Sequence, residues 1–174
     1  MNTFLHRFGS AVITTPSDLE ICIIRRFDAP SDRVFRAWTT PRYVRRWWGF
    51  ESSPLVVCEI DLWVGGVWRY VTRDPDGTEM GWTGIFQEIV SGRRLVSTEV
   101  FESSPERATL NRLDLIEAAG VTTLTINVLH ADRRFRDDHV GSGMERGLQH
   151  GFDRIERLVT DEPEPVPEPE EPMP

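Results

Sequence analysis

The stretch Ala29–Gly49, APSDRVFRAWTTPRYVRRWWG, predicts two short helices that meet at Thr40-Pro41. Asp28 or Ser31 can cap the first helix, because a side-chain oxygen there accepts the free amide hydrogens of the first turn. Asp32 suits the positive end of the same helix dipole. The residue before a proline is disfavoured in the α region, so we expect the first helix to end at Thr40.

Both predicted helices carry an aromatic face. The apolar residues recur at helical spacing; they are Val34, Phe35 and Trp38 in the first helix, and Tyr43, Trp47 and Trp48 in the second. So much aromatic area needs a large partner surface, and we expect the two faces to close over a cavity.

That partner surface is predicted to be a curved antiparallel sheet. The predicted strands are 20–27, 55–64, 67–73, 78–90, 95–101, 108–117 and 121–130. Asp76-Gly77 suits a tight hairpin, because glycine tolerates a positive φ. Gly65-Gly66 before Trp68 indicates a bulge or bend that curls the sheet. Consecutive strands favour an antiparallel meander over alternating strand–helix units.

A long amphipathic helix is predicted from Asp137 or Asp138 to about Val159. Its apolar stripe repeats at steps of three and four and comprises Val140, Met144, Leu148, Phe152, Ile155 and Val159. Glycines recur every four residues beside the stripe, at Gly143, Gly147 and Gly151. They either allow close approach of the sheet or leave room for a guest molecule.

The fold class is therefore α+β, in a helix-grip arrangement. The element order is β-α-α-β6-α, and a curved antiparallel sheet wraps around the long C-terminal helix.

Several segments, taken in their order along the sequence, resemble those of a known family. They are Arg25–Pro30 with Val34-Phe35, Arg46–Trp48, Cys58–Gly66, Pro75–Gly77, Gly84 with Glu88, Arg94-Leu95, Thr123–Ile126 and Ser142–Gly147. Over Glu20–Val159 the chain resembles the SRPBCC (START-like) superfamily. Within it, the chain is most similar to the domain named after the C-terminal half of the activator of the ninety-kilodalton heat-shock chaperone's ATPase. The resemblance implies a hydrophobic cavity between sheet and helix and no shared catalytic residues.

The chain also departs from that family. Trp63 stands where the family often has arginine. No segment the size of the activator's additional N-terminal domain precedes Glu20. The second departure counts against direct chaperone activation.

Three segments are expected along the chain. Residues 1–19 form a flexible leader, in which Phe4, Leu5 and Phe8 could add a docking segment. Residues 20–159 form the helix-grip domain, and 160–174 form a disordered acidic Pro/Glu tail that either aids solubility or docks as a peptide. The tail holds six of the acidic residues behind the net charge of −8.

Composition excludes several function classes. The chain has no basic stripe, so nucleic acid is not an expected partner. It has no apolar run of the roughly 20 residues that span a bilayer and no secretory signal, so a cytoplasmic location is expected. The sequence leaves monomer and homodimer open.

No metal, cofactor or lysine chemistry is predicted. The chain contains no lysine, which rules out a lysine Schiff base. Cys22 and Cys58 are interpreted as small core residues without a disulfide. His139 and His150 lie about 16 Å apart on one helix, too far for one metal ion, and are interpreted as solvent-facing.

Strand alternation predicts the residues that face the cavity. The inward faces are predicted to be Trp68, Tyr70 and Thr72 in one strand, Met80, Trp82, Gly84, Phe86 and Glu88 in the next, then Leu95, Ser97, Glu99 and Phe101, and finally Leu124, Ile126, Val128 and His130. The ligand-binding candidates are Trp38, Trp48, Trp68, Tyr70, Trp82, Phe86, Glu99, Phe101, His130, Met144 and Leu148. The same pattern is also typical of an ordinary core, and His130 also suits a satisfied strand-end histidine. A register slip of one residue would exchange the faces.

Three functions from different classes remain. The leading prediction is non-catalytic binding of a hydrophobic small molecule, aromatic or lipid-like, in the cavity between sheet and C-terminal helix. The second is a chaperone-interacting stress-response module, and the third is a cyclase- or hydrolase-like enzyme that uses the same cavity. No catalytic residue is predicted, because no nucleophile motif or paired carboxylates occur. Only His130 near Glu99 or Tyr70 could form an acid–base pair.

Overall fold

The structure is a computed structural model that describes residues 5–161. Ten strands and four α-helices follow in chain order. They are β1 Leu5–Phe8, β2 Ala11–Thr14, β3 Glu20–Phe27, α1 Ser31–Thr39, α2 Pro41–Trp47, β4 Gly49–Phe50, β5 Ser53–Ile60, β6 Val67–Arg73, β7 Glu79–Val90, β8 Arg94–Phe101, β9 Thr109–Ala118, β10 Val121–His130, α3 Arg133–Gly141 and α4 Met144–Asp161, with a short 3-10 turn at Pro105–Arg107.

The strands form one antiparallel sheet with the order β1-β2-β3-β10-β9-β8-β7-β6-β5-β4. Consecutive strands are neighbours except where β3 pairs with β10. The Gly77 turn has a φ of 90°, as the hairpin prediction requires, and Gly65 has a φ of 95° in the bend between β5 and β6. The predicted α+β helix-grip class is confirmed, because the sheet packs against a long C-terminal helix.

The N-terminal hairpin differs from the expected flexible leader. β2 pairs with β3, so that Val12 lies opposite Ile24. Ala11 and Ile13 are buried, and the Ser10 amide donates to the side chain of Gln149 in α4. The four residues of β2, Ala11–Thr14, show no alternation of polar and apolar side chains, so the sequence alone does not predict this strand. The acidic tail lies outside the described residues.

The first two helices lie where they were predicted. Thr40 is extended between them, as expected before a proline. Neither Asp28 nor Ser31 caps α1 through its side chain, however. A distant carboxylate takes that role, because Glu117 at the end of β9 accepts a hydrogen bond from the Ser31 amide at 2.8 Å.

The predicted long C-terminal helix is divided in two. Asp132 caps α3 by accepting from the Phe135 amide, so the helix begins before Asp137. Gly143 then breaks it with a φ of 78°, a conformation that helical residues do not adopt. The amphipathic stripe continues across the break, which is why periodicity alone predicts one helix.

The second of these helices, α4, is held on the sheet by its apolar stripe and by ion pairing. Phe152, Ile155 and Val159 are buried. The ring of Phe152 meets that of Phe27 edge-on, with 6.1 Å between their centroids. Arg25 of β3 pairs with Glu156 at 2.8 Å. Toward its N-terminal half α4 stands away from the middle of the sheet, and the candidate site lies in that space.

No helix within residues 5–161 combines the length and the apolar character needed to cross a bilayer.

Candidate functional site

A cavity of about 460 Å³ lies between the inner face of the sheet, helices α1 and α2, and helix α4. Nine of the eleven residues predicted from sequence line it: Trp38, Trp48, Trp68, Tyr70, Trp82, Phe86, Glu99, Met144 and Leu148. The sheet faces predicted from alternation supply Thr72, Met80, Leu95, Ser97, Ile126 and Val128 as well. The inward faces that alternation predicts therefore line the cavity over most of these strands.

Phe101 and His130 are not part of the cavity wall. Phe101 stacks beside the ring of Trp82, with centroids 5.4 Å apart. His130 is buried, but both of its ring nitrogens are engaged elsewhere, at the Leu19 carbonyl and at His139. The predicted pairing of His130 with Glu99 or Tyr70 is therefore wrong, and the interpretation of a satisfied strand-end histidine describes it better.

Glu88 also lies on the other face from the one predicted. A register shift between Phe86 and Glu88 in the pairing of β7 with β8 interrupts the alternation. Glu88 is exposed and pairs with Arg94 at 3.2 Å. A β-bulge of this kind adds one residue to one strand and reverses the faces beyond it.

Aromatic rings form a continuous wall from α1 to the sheet. The ring centroids are 4.6 Å apart for Trp38 and Trp47, 5.5 Å for Trp47 and Trp48, and 4.9 Å for Trp48 and Tyr70. Trp68 and Trp82 extend this wall along β6 and β7. Five of the six tryptophans line the cavity, so tryptophan emission should report on its contents.

Several polar atoms of this wall have no protein partner within residues 5–161. They are Nε1 of Trp38, Nε1 of Trp68 and Oγ1 of Thr72. Trp47, in contrast, donates from Nε1 to the Ala37 carbonyl at 2.7 Å. A buried polar atom without a partner carries a desolvation cost of about 1–3 kcal/mol. A guest molecule with suitable polar atoms would remove part of that cost.

Glu99 is the acidic group of the cavity. Its carboxylate accepts a hydrogen bond from Nδ2 of Asn111 at 2.9 Å. The Thr109 hydroxyl donates a hydrogen bond to Oδ1 of the same Asn111 amide at 3.0 Å. Burial raises the pKa of Glu99 to about 7, against the lowering effect of the Asn111 hydrogen bond. The buried hydroxyl of Tyr70 has a raised pKa for the same reason, with the Glu99 charge as a smaller cause.

His139 lines the cavity, although it was not among the predicted cavity residues. Its ring contacts that of His130, so the interpretation of His139 as solvent-facing is wrong. His150 is half-buried as well and packs its ring on Phe50, 5.1 Å between centroids. Gly143 was the available signal, because a helix break there lets α3 turn a different face to the cavity from the one that the stripe of α4 defines.

The helix glycines divide into two roles. Gly147 and Gly151 line the cavity. A methyl group at Gly147 would meet only Phe50, at 3.8 Å, whereas at Gly151 it would press on Trp47 at 3.4 Å. Each of the two interpretations of these glycines therefore holds at one position. Gly147 leaves room beside the cavity, and Gly151 allows close packing.

Residues 5–161 contain two free thiols and no cluster of metal ligands. No group of three or more His, Cys, Asp or Glu residues that could hold a metal ion occurs within the described part of the chain. Cys22 and Cys58 are free thiols, the first half-buried and the second buried. Burial raises the pKa of both thiols, which makes them poor nucleophiles.

Comparison with known proteins identifies the family. Residues 28–160 match the family described as Activator of Hsp90 ATPase homolog 1-like protein. The chain belongs to this family. The AHSA1-like domain lies within the SRPBCC superfamily, as the sequence segments indicated. No curated protein matches the chain.

Solved structures of bacterial proteins share the fold of this AHSA1-like domain. A protein from Rhodobacter sphaeroides is 25% identical with a TM-score of 0.79, over 86% of this chain and 97% of that chain. A protein from Arthrobacter aurescens is 27% identical with a TM-score of 0.73, over 83% and 88%. The AHSA1-like protein from Aeromonas hydrophila is 21% identical with a TM-score of 0.64, over 81% and 92%.

Proposed function

We propose that this AHSA1-like protein binds a small hydrophobic molecule with an aromatic body in the cavity between sheet and α4. The single observation that carries the proposal is the 460 Å³ cavity walled by tryptophan, tyrosine and phenylalanine rings. This volume lies within the range of about 300–1,000 Å³ in which proteins hold small molecules. Apolar walls with a few polar groups bind such ligands by burying their surface and orienting their polar atoms.

The experiment compares a neutral, apolar fluorescent probe, N-phenyl-1-naphthylamine, on three proteins. Wild type should bind the probe with a change in tryptophan emission. Ser97→Phe adds a ring to the cavity wall and should weaken binding at least about tenfold. Val96→Phe is the matched control, because the neighbouring side chain on β8 does not line the cavity, and it should bind like wild type.

Two results would contradict the proposal. The first is a wild type that binds none of a series of neutral apolar probes, and the second is a Ser97→Phe variant that binds as tightly as Val96→Phe. Native mass spectrometry of the purified wild type adds an independent measurement, because a guest retained from the cell would appear as a discrete added mass.

A protein-binding role is the second candidate, and an exposed apolar cluster favours it. The side chains lie around the β5–β6 bend and on the outer face of β6 and β7; they are Leu62, Trp63, Val64, Val67 and Ile85. Trp63 is 62% exposed. Contiguous exposed apolar surface is typical of protein interaction sites.

The family name suggests an Hsp90-type chaperone as the partner. In that case wild type should stimulate the ATPase of the cell's own chaperone, and Trp63→Ser should not. A wild type without effect on that ATPase would contradict this role.

A further inference from the structure

Two histidines form a hydrogen-bonded chain at one end of the cavity. His130 ends β10, and its Nδ1 lies 3.1 Å from the Leu19 carbonyl oxygen. Its Nε2 lies 3.0 Å from Nδ1 of His139 in α3. His139 in turn lines the cavity. These hydrogen bonds thus connect the backbone before β3 to the surface that a guest would touch.

The partners determine the tautomer of each ring. A carbonyl oxygen only accepts hydrogen bonds, so Nδ1 of His130 carries the hydrogen. In a neutral imidazole the other nitrogen then has a free lone pair, so Nε2 of His130 accepts from Nδ1 of His139. His139 is left with its own lone pair on Nε2, and no hydrogen-bond partner for that atom occurs within residues 5–161.

Both rings are neutral at neutral pH. Burial, with the neighbouring His130 as a smaller cause, lowers the pKa of His139 to about 4. Burial also lowers the pKa of His130, and Arg136 adds to the lowering, whereas Leu19 and Asp132 oppose it. Arg136 is itself buried and donates to the Ser17 carbonyl at 2.8 Å. Neutral rings keep the tautomers that the hydrogen bonds require.

Polar groups in the cavity wall and beside it share one end of the sheet. Glu99, Thr109 and His130 lie side by side on β8, β9 and β10, because Thr109 is the register partner of both other residues. Asn111 and Ser97 form the next row on the same face. Beyond them the wall is apolar, at Leu95, Leu113 and Ile126. The cavity therefore has one polar end and one apolar end.

We propose that the guest is an aromatic molecule with a hydroxyl group, and that this hydroxyl donates a hydrogen bond to Nε2 of His139. The inference deepens the proposed function and rests on it. His130 is a positioning residue, since it fixes the tautomer of His139 without touching the guest. No arginine among residues 5–161 lines the cavity, so an anionic guest would lack a counter-charge from them there.

The ligand test uses a matched pair of probes, 2-naphthol and 2-methoxynaphthalene. The two share one aromatic body, but only the naphthol can donate a hydrogen bond. Wild type should prefer the naphthol, and His139→Leu should reduce the ratio of the two affinities about tenfold. Binding of the methoxy compound should change less than about twofold. His139→Gln keeps an acceptor and should retain most of the preference.

The outcomes separate the two proposals. If wild type binds both probes but His139→Leu leaves their ratio unchanged, the hydroxyl proposal is wrong and the binding function stands. If wild type binds neither probe, the binding function fails, and the hydroxyl proposal fails with it.

The tautomers can be tested without any ligand. Correlation spectra of the imidazole ¹⁵N nuclei in the labelled full chain should show His130 and His139 with the hydrogen on Nδ1. In His130→Phe, His139 should lose this fixed tautomer, a change that a purely structural role would not produce. A hydrogen on Nε2 of His139 in wild type would overturn the proposal.

Discussion

Glu99 is a buried acid in an apolar wall, and a single side chain within residues 5–161 donates a hydrogen bond to it. Its partner Asn111 supplies one hydrogen bond, which is too little to offset the loss of water. The pKa of Glu99 therefore rises to about 7, so the group is close to half ionised at neutral pH. The folded protein holds the proton more tightly than the unfolded chain, whose carboxyl group has a pKa of 4.5.

We expect Glu99→Gln to stabilise the protein at alkaline pH. Between pH 4.5 and pH 7 the folded state binds more protons at this position, so wild-type stability decreases as the pH rises through about 7. The amide cannot ionise and keeps an acceptor for Asn111. The free energy of unfolding should therefore rise by up to about 3 kcal/mol at pH 8 and change little at pH 4.5, as measured by urea denaturation.

Glu88→Gln is the control for this measurement. Glu88 is exposed and pairs with Arg94, and exposed ion pairs contribute about 0–1 kcal/mol. Its pH profile should keep the wild-type shape near pH 7. A Glu99→Gln profile parallel to wild type would show that folding does not shift the pKa of Glu99, and would contradict the prediction.

At the scale of elements, the break between α3 and α4 shapes the cavity. Gly143 turns the chain with a positive φ, which lets α3 carry His139 to the cavity while α4 follows its own direction along the sheet. Gly147 lies one turn further on and presents only a hydrogen to the cavity. Gly143 and Gly147 belong to the same four-residue repeat, but only Gly143 needs the backbone freedom of glycine.

Alanine substitution at the two positions should have opposite effects. Gly143→Ala should destabilise the protein by about 1–2 kcal/mol, because an L-residue with a side chain disfavours the left-handed region. Gly147→Ala should stabilise it by up to about 1 kcal/mol, because alanine is the better helix former and the added methyl meets only Phe50 at 3.8 Å. Urea denaturation measures both. Equal effects of the two substitutions would contradict a fixed break at Gly143.

At the scale of the whole molecule, the N-terminal hairpin extends the sheet past β3 and contacts α4. Ile13 is 5% exposed and belongs to the main core. Gln149 binds the Ser10 amide at 3.0 Å, and a side chain at Gly9 would collide with Gln149. The hairpin is therefore a part of the folded domain and supports the helix that closes the cavity.

Truncation of Ile13 tests this role. Ile13→Ala should lower the free energy of unfolding by about 2–5 kcal/mol, the usual cost of a buried isoleucine-to-alanine change. Val12→Ala is the control, because Val12 lies on the other face of β2 and is only half-buried, and it should cost less. Thermal and urea denaturation report both values. A cost within about 0.5 kcal/mol for Ile13→Ala would indicate that the hairpin is loose.

Seven strands (β3 and β5 to β10), the first two helices and most of the cavity wall could be predicted from sequence, because they depend on local periodicity. Trp68 and Tyr70 alternate with outward residues over one strand, so their shared face follows from the pleat. Trp38 and Trp48 follow from helical spacing beside a proline. Such patterns need no knowledge of distant partners, which is why the predicted strand bounds lie within a few residues of those in the structure.

The tertiary structure alone decided what depends on pairing between distant segments. The bulge that turns Glu88 outward exists only in the register of β7 with β8, and the strand at Ala11–Thr14 exists only against β3. His139 reaches the cavity because Gly143 breaks the helix and His130, at the end of β10, receives its hydrogen bond. Periodicity describes which side chains share a face, but it carries no information on which face of another element they meet.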